Sequence, residues 1–235
     1  MHKISICVPT WESNGYAEVF TVDLFESIKK QTFKDYEVCI SDHSTDDTVL
    51  GICEEYADCF EIKYFRNTDD FGNGPANTNS AMEMAEGDII KIMFQDDFFF
   101  SENALSLIDK KLSNSDKKWL VNGCNHFQQG VLYNEMTPRW NDDIIKGVNT
   151  ISSPSVLAIK NEVKEQFDSS LKMMMDCDYY YNLYSTYGEP EILNDILITN
   201  RVHQNQISSL YVNDKNYESN LNEEIQYCLK KYNLK

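Results

Sequence analysis

Short apolar runs alternate with amphipathic segments through residues 4–94, and this order limits the folds open to the chain. The strand-like runs lie at residues 4–9, 36–41, 61–65 and 88–94. Helical spacing of apolar residues separates them, at 17–31, from 44 or 46 to about 56, and at 77–86. Strands that alternate with helices are typical of a parallel sheet with helices on both faces. We therefore predict an α/β fold with a Rossmann-like, mostly parallel central sheet flanked by helices.

The pattern is looser after residue 98. It predicts helices at 103–112 and from about 176 to 187, strands at 119–127 and 191–199, and a long irregular segment at 128–150. Apolar residues at helical spacing over 216–234 predict a C-terminal amphipathic helix. No internal repeat, low-complexity segment or linker divides the chain. We therefore expect one domain over residues 1–235.

The negative charge of the chain limits the classes of partner that it can bind. Asp and Glu number 38 against 21 Lys and Arg, which gives a net charge of −17. Such a chain repels phosphate backbones and anionic membrane surfaces, so we expect no nucleic-acid partner. A nucleotide-sized anion would need a local device to bind, such as a divalent cation.

The apolar runs and the cysteines indicate the cellular compartment of the chain. No apolar run approaches the roughly 20 residues of a membrane span, and the N-terminus lacks the apolar core of a signal peptide. Seven cysteines, an odd number without a C-x-x-C pair, indicate reduced thiols rather than disulfides or zinc ligands. We expect a cytoplasmic protein without a transmembrane segment.

Carboxylates follow two of the predicted strands. Asp42 follows the second strand, and the pair Asp96–Asp97 follows the fourth. Burying an unpaired carboxylate costs several kcal/mol, so the pair must be solvated, neutralised or bound. One interpretation is a cap for the helix that follows Ser101. The other is a metal site at the carboxyl edge of the sheet, where α/β folds bind ligands.

Three stretches carry a family resemblance. They are ISICVPT at 4–10, LFESIKKQTFKDYEVCISDHSTDDT at 24–48 and NTNSAMEMAEGDIIKIMFQDD at 77–97. In this unbroken order they resemble the N-terminal half of family 2 inverting glycosyltransferases of the GT-A fold. The resemblance implies a GT-A domain with a nucleotide-sugar-binding half at 1–112, an acceptor-binding half at 113–215 and the terminal helix at 216–235.

The resemblance also implies a set of donor-binding residues. Asp42 matches the aspartate that hydrogen-bonds a uracil or thymine ring, and Pro9 and Thr10 match the turn that lines the nucleoside. Asn79 matches the asparagine on the helix before the aspartate-rich DXD turn, and Asp96 belongs to that turn. The implied donor is a UDP- or dTDP-sugar. Four positions depart from the family pattern and leave the donor sugar open: Ser41, His43, Thr78 and Phe94.

A metal site follows from the same resemblance. Asp96 and Asp97 match the DXD region, with Asp97 favoured as the direct ligand of Mn²⁺ or Mg²⁺. The segment NRVHQNQIS at 200–208 resembles an Arg-x-His-x-x-x-x-Ser motif and places His203 as a third metal ligand or a diphosphate contact. Hard divalent cations take oxygen ligands and substrate phosphates together.

The second half of the chain contains one further family mark. MMMDCDYYYNL at 173–183 resembles the start of the helix that carries the catalytic base, which falls on Asp176. The alternative is an acid favoured by the dipole at a helix N-terminus. Asp178, two residues on, points elsewhere in a helix. The tyrosines that follow are expected to be core residues rather than a sugar-stacking wall.

Together these features predict a metal-dependent inverting glycosyltransferase of polysaccharide biosynthesis. It would move a sugar from a UDP- or dTDP-sugar to a hydroxyl acceptor, expected to be a glycan. One alternative is a catalytically inactive module that binds a sugar nucleotide or a glycan. A second is a sugar-nucleotidyltransferase, although the segment after the first strand, PTWESNGYAE, lacks the basic residue typical of that class.

Overall fold

Within residues 3–206, 209 and 215–234, which the computed structural model describes, nine strands form one sheet. The strands are β1 (Ile4–Thr10), β2 (Tyr36–Asp42), β3 (Glu61–Arg66), β4 (Ile89–Ile92), β5 (Phe98–Phe99), β6 (Trp119–Gln128), β7 (Val131–Met136), β8 (Leu157–Lys160) and β9 (Glu191–Arg201). The α-helices are α1 (Ala17–Lys29), α2 (Thr48–Tyr56), α3 (Gly74–Glu83), α4 (Ala104–Ser113), α5 (Met175–Tyr187) and α6 (Tyr217–Lys231).

The sheet has the order β3-β2-β1-β4-β8-β6-β9-β5, and β7 pairs with the outer part of β6. β1 pairs in parallel with β2 and β4, β2 with β3, and β6 with β9. β8 lies between β4 and β6 and is antiparallel to both. The parallel strands therefore all run in one direction, while β5, β7 and β8 run against them.

The central strands are buried, as is typical of a parallel sheet. β2 is buried along its whole length, as is nearly all of β1, because helices cover both faces of the sheet. One face of α1 supplies part of that cover through Phe20, Leu24, Phe25 and Ile28. The predicted α/β fold with a mostly parallel sheet flanked by helices is confirmed. Strands from both halves of the chain share this sheet, because β8 pairs directly with β4.

The prediction of an irregular segment at 128–150 is wrong. Residues 131–136 form β7, which turns back on β6 through Gln129 and Gly130, both with positive φ (49° and 85°). The four-residue β8 was not predicted either. Strands this short show little periodicity, and β8 is defined by its two neighbours in the sheet.

Helix α3 begins three residues earlier than predicted. The side chain of Asn73 accepts a hydrogen bond from the Ala76 N–H, and Pro75 occupies the first turn. The C-terminal amphipathic helix is present as α6, and its apolar face packs against the core through Leu221, Ile225, Leu229 and Tyr232. None of the helices described in the structure is both long and apolar enough to cross a membrane.

Candidate active site

The parallel strands bring several predicted site residues to one edge of the sheet. Thr10 ends β1 and Asp42 ends β2, and the strand register places them opposite each other. Pro9, one residue earlier, is partly buried at the same end. Asp96 follows β4, and Arg201 ends β9, which runs in the same direction. This is the carboxyl edge, where such sheets bind ligands.

Asp42 is fully buried, and hydrogen bonds occupy both of its carboxylate oxygens. Oδ1 accepts from the Thr10 hydroxyl at 3.0 Å, the Ser44 hydroxyl at 2.6 Å and the Ser44 N–H at 3.0 Å. Oδ2 accepts from the Tyr64 hydroxyl at 2.7 Å and lies 3.5 Å from Nε of Arg66. The carboxylate thus organises the ends of β1, β2 and β3 and forms the local turn with Ser44. A nucleobase that donates to Oδ2 would share this oxygen with the Tyr64 hydroxyl or displace it.

Helix α3 presents two asparagines with different partners. Asn77 is buried against the strand ends, where Nδ2 donates to the Thr10 carbonyl at 3.1 Å and Oδ1 accepts from the Ser41 hydroxyl at 2.7 Å. Asn79, the predicted donor-binding residue, forms two hydrogen bonds with the backbone of Phe167, each 2.8 Å long. Its amide therefore holds the segment before α5, and Asn77 is the residue that reaches the edge of the sheet.

Asp97 is buried in the turn after β4. Its Oδ1 accepts from the Arg201 N–H at 2.9 Å, and its Oδ2 accepts from the Ser153 hydroxyl at 3.2 Å. Burial, with the neighbouring charge of Asp96, raises the pKa of Asp97 to about 7. The protein itself therefore supplies hydrogen bonds to both oxygens of this carboxylate.

Asp96 is the more exposed carboxylate of the pair, with 27% of its side chain accessible. Its Oδ2 lies 3.0 Å from Nε2 of His203. The structure thus brings together two of the three predicted metal-binding residues. Ser208, which belongs to the same sequence motif, lies outside the described residues.

Arg201 holds the Asp96 turn against α1. Its Nε donates to the Asp96 carbonyl at 2.9 Å, and its Nη2 donates to the Asp23 carboxylate at 2.6 Å. Its guanidinium lies 5.0–5.4 Å from the centres of three aromatic rings, those of Phe20, Phe98 and Phe127. The sequence motif pointed to this arginine without showing its contacts, which join elements far apart in the chain.

Gln95 also anchors the turn, and the sequence analysis did not assign it a role. Its Oε1 accepts from the Trp11 N–H and the Ser13 hydroxyl, each at 3.1 Å. Its Nε2 donates to the Thr21 hydroxyl at 2.9 Å. A buried amide with three partners fixes the turn to the loop that follows β1. Neither acid of the pair caps α4, since the Ser101 hydroxyl accepts from the Asn103 N–H instead.

The residues present fit a divalent cation in part. Neighbouring ligands of an octahedral Mg²⁺ lie about 3 Å apart, which matches the distance between Asp96 Oδ2 and His203 Nε2. Nδ1 of His203 is buried and has no hydrogen-bond partner among the described residues, so it can carry the ring proton if Nε2 binds a cation. The described residues contain no group of three or more potential ligands. This geometry favours Asp96 over Asp97 as the direct ligand, with substrate oxygens and water completing the shell.

Asp176 lies in the first turn of α5 and is partly buried. Its Oδ1 accepts from the Cys177 N–H at 2.8 Å, and its Oδ2 accepts from Nδ2 of Asn149 at 2.7 Å. Burial raises the pKa of its carboxyl. Asp178 is fully buried on another side of the helix and pairs with Lys231 of α6 at 2.8 Å. The two acids thus point in different directions, as predicted.

The tyrosines of α5 are core residues, as predicted. Tyr179 and Tyr180 are fully buried, and Tyr181, Tyr184 and Tyr187 pack against the core. All seven cysteines are free thiols.

Comparison with known proteins identifies the family. The model of glycosyl transferase family 2 matches residues 5–156, well over half of the chain. The chain belongs to glycosyltransferase family 2. A family 2 relative from Campylobacter jejuni, a GalNAc(5)-diNAcBac-PP-undecaprenol β-1,3-glucosyltransferase, is 32% identical over 139 residues, which are 58% of this chain and 43% of the relative.

A second relative and two solved structures extend the comparison. The poly(ribitol-phosphate) β-N-acetylglucosaminyltransferase TarS from Staphylococcus aureus is 29% identical over 48% of this chain and 20% of its own. The TarS structure in complex with UDP-GlcNAc superposes with a TM-score of 0.73 at 20% identity, covering 97% of this chain and 66% of that one. A Pyrobaculum calidifontis mannosyltransferase in complex with GDP-Man and Mn²⁺ superposes with a TM-score of 0.66 at 15% identity, covering 90% and 60%.

These comparisons confirm the predicted family and the GT-A fold class. The chain spans less than half the length of both curated relatives.

Proposed function

We propose that this chain is an inverting, metal-dependent glycosyltransferase that moves a sugar from a UDP- or dTDP-sugar to a hydroxyl of a glycan acceptor. The observation that carries the proposal is the grouping at one edge of a family 2 sheet. There the partly exposed Asp96 contacts His203, and the Ser153 hydroxyl links Asp97 to the segment that contacts Asp176. A TarS structure contains UDP-GlcNAc, and both curated relatives are named for transfer to polymeric or lipid-linked glycans.

On the donor side, the chain must hold a dianionic diphosphate despite its net charge of −17. A divalent cation bound by Asp96 and His203 would neutralise the diphosphate and stabilise it as a leaving group. Thr10 and Pro9 would line the nucleoside, and the buried Asp42 would receive the N3–H of uracil or thymine in exchange for the Tyr64 hydroxyl. Gln95 and Arg201 keep the turn rigid while the donor binds.

On the acceptor side, Asp176 would act as the general base. It removes the proton from the acceptor hydroxyl as that oxygen attacks the anomeric carbon, on the face opposite the leaving nucleoside diphosphate. The new bond to the acceptor oxygen forms as the bond to the diphosphate oxygen breaks, so the anomeric configuration inverts. A carboxylate offers about four lone pairs, and the hydrogen bonds from the Cys177 N–H and from Nδ2 of Asn149 occupy one on each oxygen, so this carboxylate can still accept the proton.

Calorimetric titration of UDP, dTDP and GDP, with and without Mn²⁺, tests the donor site. We expect Mn²⁺-dependent binding of UDP or dTDP that Asp96→Ala abolishes. Asp58→Ala is the matched control, because Asp58 is exposed in the turn between α2 and β3 at the opposite edge of the sheet. Preference for GDP would refute the donor assignment, and no binding of any nucleotide would refute the donor site itself.

Donor turnover separates the enzyme from an inactive binding module. Release of nucleoside diphosphate from a bound sugar nucleotide, lost in Asp176→Asn while binding persists, supports the enzyme. Binding without turnover in the presence of glycan acceptors supports the inactive module.

A further inference from the structure

Residues 149–155 (NTISSPS), which we call the strap, lie between two parts of the proposed site. β8, which follows the strap, is antiparallel to its neighbours, so its start lies at the carboxyl edge of the parallel strands. The strap is thereby placed beside the turn after β4, although 52 residues of sequence separate Asn149 from Asp97. No sequence motif marks these residues.

The first residue of the strap fixes Asp176. Oδ1 of Asn149 accepts from the N–H groups of Ile151 and Ser152, at 2.9 and 3.0 Å. Nδ2 donates to the Ser152 carbonyl at 3.1 Å and to Oδ2 of Asp176 at 2.7 Å. Because two N–H groups hold the amide oxygen, the amide has one orientation, and its NH₂ faces the carboxylate.

The other end of the strap fixes Asp97. The Ser153 hydroxyl donates to Oδ2 of Asp97 at 3.2 Å and accepts from Nδ2 of Asn200 at 2.6 Å. The same Asn200 amide lies 3.3 Å from the Ser152 hydroxyl. A few consecutive residues therefore contact the proposed base at one end and the metal-binding turn at the other.

The backbone between these contacts is strained. Ser152 has φ = 103°, in a region that residues other than glycine rarely adopt. Its carbonyl accepts hydrogen bonds from the Asn149 amide and from the hydroxyl of Tyr180, a fully buried residue of α5. Strain that the surroundings hold in place is common where geometry serves a function.

From these contacts we propose that Asn149 is a positioning residue for the carboxylate of Asp176, and that the strap holds this carboxylate at a fixed position relative to the Asp97 turn. The proposal rests on the proposed function for the role of Asp176 as base. The NH₂ of Asn149 stabilises the ionised carboxylate and sets the direction of its remaining lone pairs. Among the described residues, burial raises the pKa of three groups beside this contact: the Cys177 thiol, the Tyr180 hydroxyl and the Cys124 thiol, which donates to the Ser152 hydroxyl at 3.4 Å. These groups are therefore neutral and add no charge near Asp176.

Two variants of Asn149 test the proposal, with carboxyl ¹³C NMR titration of Asp176 as a readout that needs no activity. Asn149→Ala removes the donor, and Asn149→Asp replaces it with a second carboxylate. We expect the titration midpoint of Asp176 to rise in both, and more in Asn149→Asp, because a like charge adds to the lost hydrogen bond. Asn114→Asp is the control for added charge, since Asn114 is exposed at the end of α4.

Kinetics give the second readout. In Asn149→Ala we expect kcat to fall roughly tenfold to a hundredfold, with KM for the donor and calorimetric nucleotide binding unchanged, because a misplaced catalytic group lowers the rate without affecting donor affinity. In Asn149→Asp the acidic limb of the rate profile should move to higher pH. Unchanged midpoints and unchanged kcat would overturn the proposal. If the midpoints shift in the variants but the unmodified protein shows no turnover, the proposed function is refuted. The orientation of Asp176 by Asn149 would still be supported.

Discussion

Nε2 of His203 lies 3.0 Å from Oδ2 of Asp96, a residue 107 positions earlier in the chain. β9 ends beside the turn that follows β4 in space, and Arg201 ties the two together through the Asp96 carbonyl. Both side chains are partly accessible, with 20% of His203 and 27% of Asp96 exposed, whereas Asp97 is buried. For this reason the proposed function assigns metal binding to Asp96 rather than to Asp97.

Removing the imidazole should weaken metal-dependent donor binding. We expect His203→Ala to lower Mn²⁺-dependent nucleotide affinity by about tenfold or more, since one of two protein ligands is lost. Binding measured in EDTA should not change. His126→Ala is the matched control, because the imidazole of His126 contacts the Asn134 carbonyl and the Tyr133 ring of β7 rather than the Asp96 turn. Equal loss of affinity in EDTA would show that His203 contacts the nucleotide rather than a cation.

The raised pKa of Asp176 predicts how activity is lost at low pH, in the acidic limb of the pH–activity profile. In the proposed function the group acts as a base, so only its ionised form would be active, and burial raises its pKa above the ordinary value of 3.8. Activity should therefore fall as pH decreases through a midpoint above that value. Asp176→Asn should lower kcat roughly 10²- to 10⁴-fold and remove the limb. Initial rates between pH 4 and 8 provide the measurement, and a limb that persists in Asp176→Asn would assign it to another group.

The ion pairs of Lys231 should stabilise the junction of α5 and α6. Its Nζ lies 2.8 Å from the buried Asp178 and 2.9 Å from Asp168. Lys231→Met leaves Asp178 buried without its cation, which should lower the free energy of unfolding by about 3 kcal/mol. Urea denaturation measures this, with Lys230→Met as the control because Lys230 is exposed. If Lys231→Met lowers the free energy of unfolding no more than Lys230→Met does, then solvent already stabilises the charge of Asp178.

The same junction predicts a loss of stability in acid. Burial of Asp168 opposes ionisation, but hydrogen bonds from Ser170 and Lys231 outweigh it and hold the pKa of Asp168 below its usual value. A lowered pKa in the folded state gives stability that is present above the unfolded-state pKa of about 3.9 and is lost as pH falls below it. Denaturation midpoints at pH 7 and pH 3 should therefore differ less in Asp168→Asn than in the unmodified chain. An equal difference in both proteins would place the acid sensitivity elsewhere.

The strain at Ser152 predicts an order of stability between two variants. Ser152→Gly and Ser152→Ala lose the same hydroxyl, but only glycine adopts φ = 103° without a steric penalty. After allowing for the greater freedom of glycine in the unfolded chain, Ser152→Gly should be more stable than Ser152→Ala by about 1 kcal/mol. Thermal unfolding of the two variants compares them directly. If alanine were the more stable residue, the backbone at this position would not be strained.

The features that the sequence predicts correctly are those whose deciding signal is local. The spacing of apolar residues predicted the order of strands and helices from β1 to β4. Burial of a strand and burial of one helix face each require a different spacing of apolar residues. The direction of parallel strands then placed Asp42 and Asp96 at one edge. The short β8 and the β6–β7 hairpin were missed, because pairing partners elsewhere in the chain define them.

The sequence by itself therefore determined the family, the parallel strands β1 to β4 and the end of these strands at which the acids lie, since strand direction follows from chain order. Only the tertiary structure decided which side chains meet there. Because α3 begins at Gly74, both Asn77 and Asn79 are helical, and side chains two positions apart on a helix differ in direction by about 200°. Asn77 therefore contacts Thr10, and Asn79 contacts Phe167 on another side of the helix. The contacts of Asn149 with Asp176 and of His203 with Asp96 depend on how separate elements pack, and neither leaves a periodic trace in the sequence.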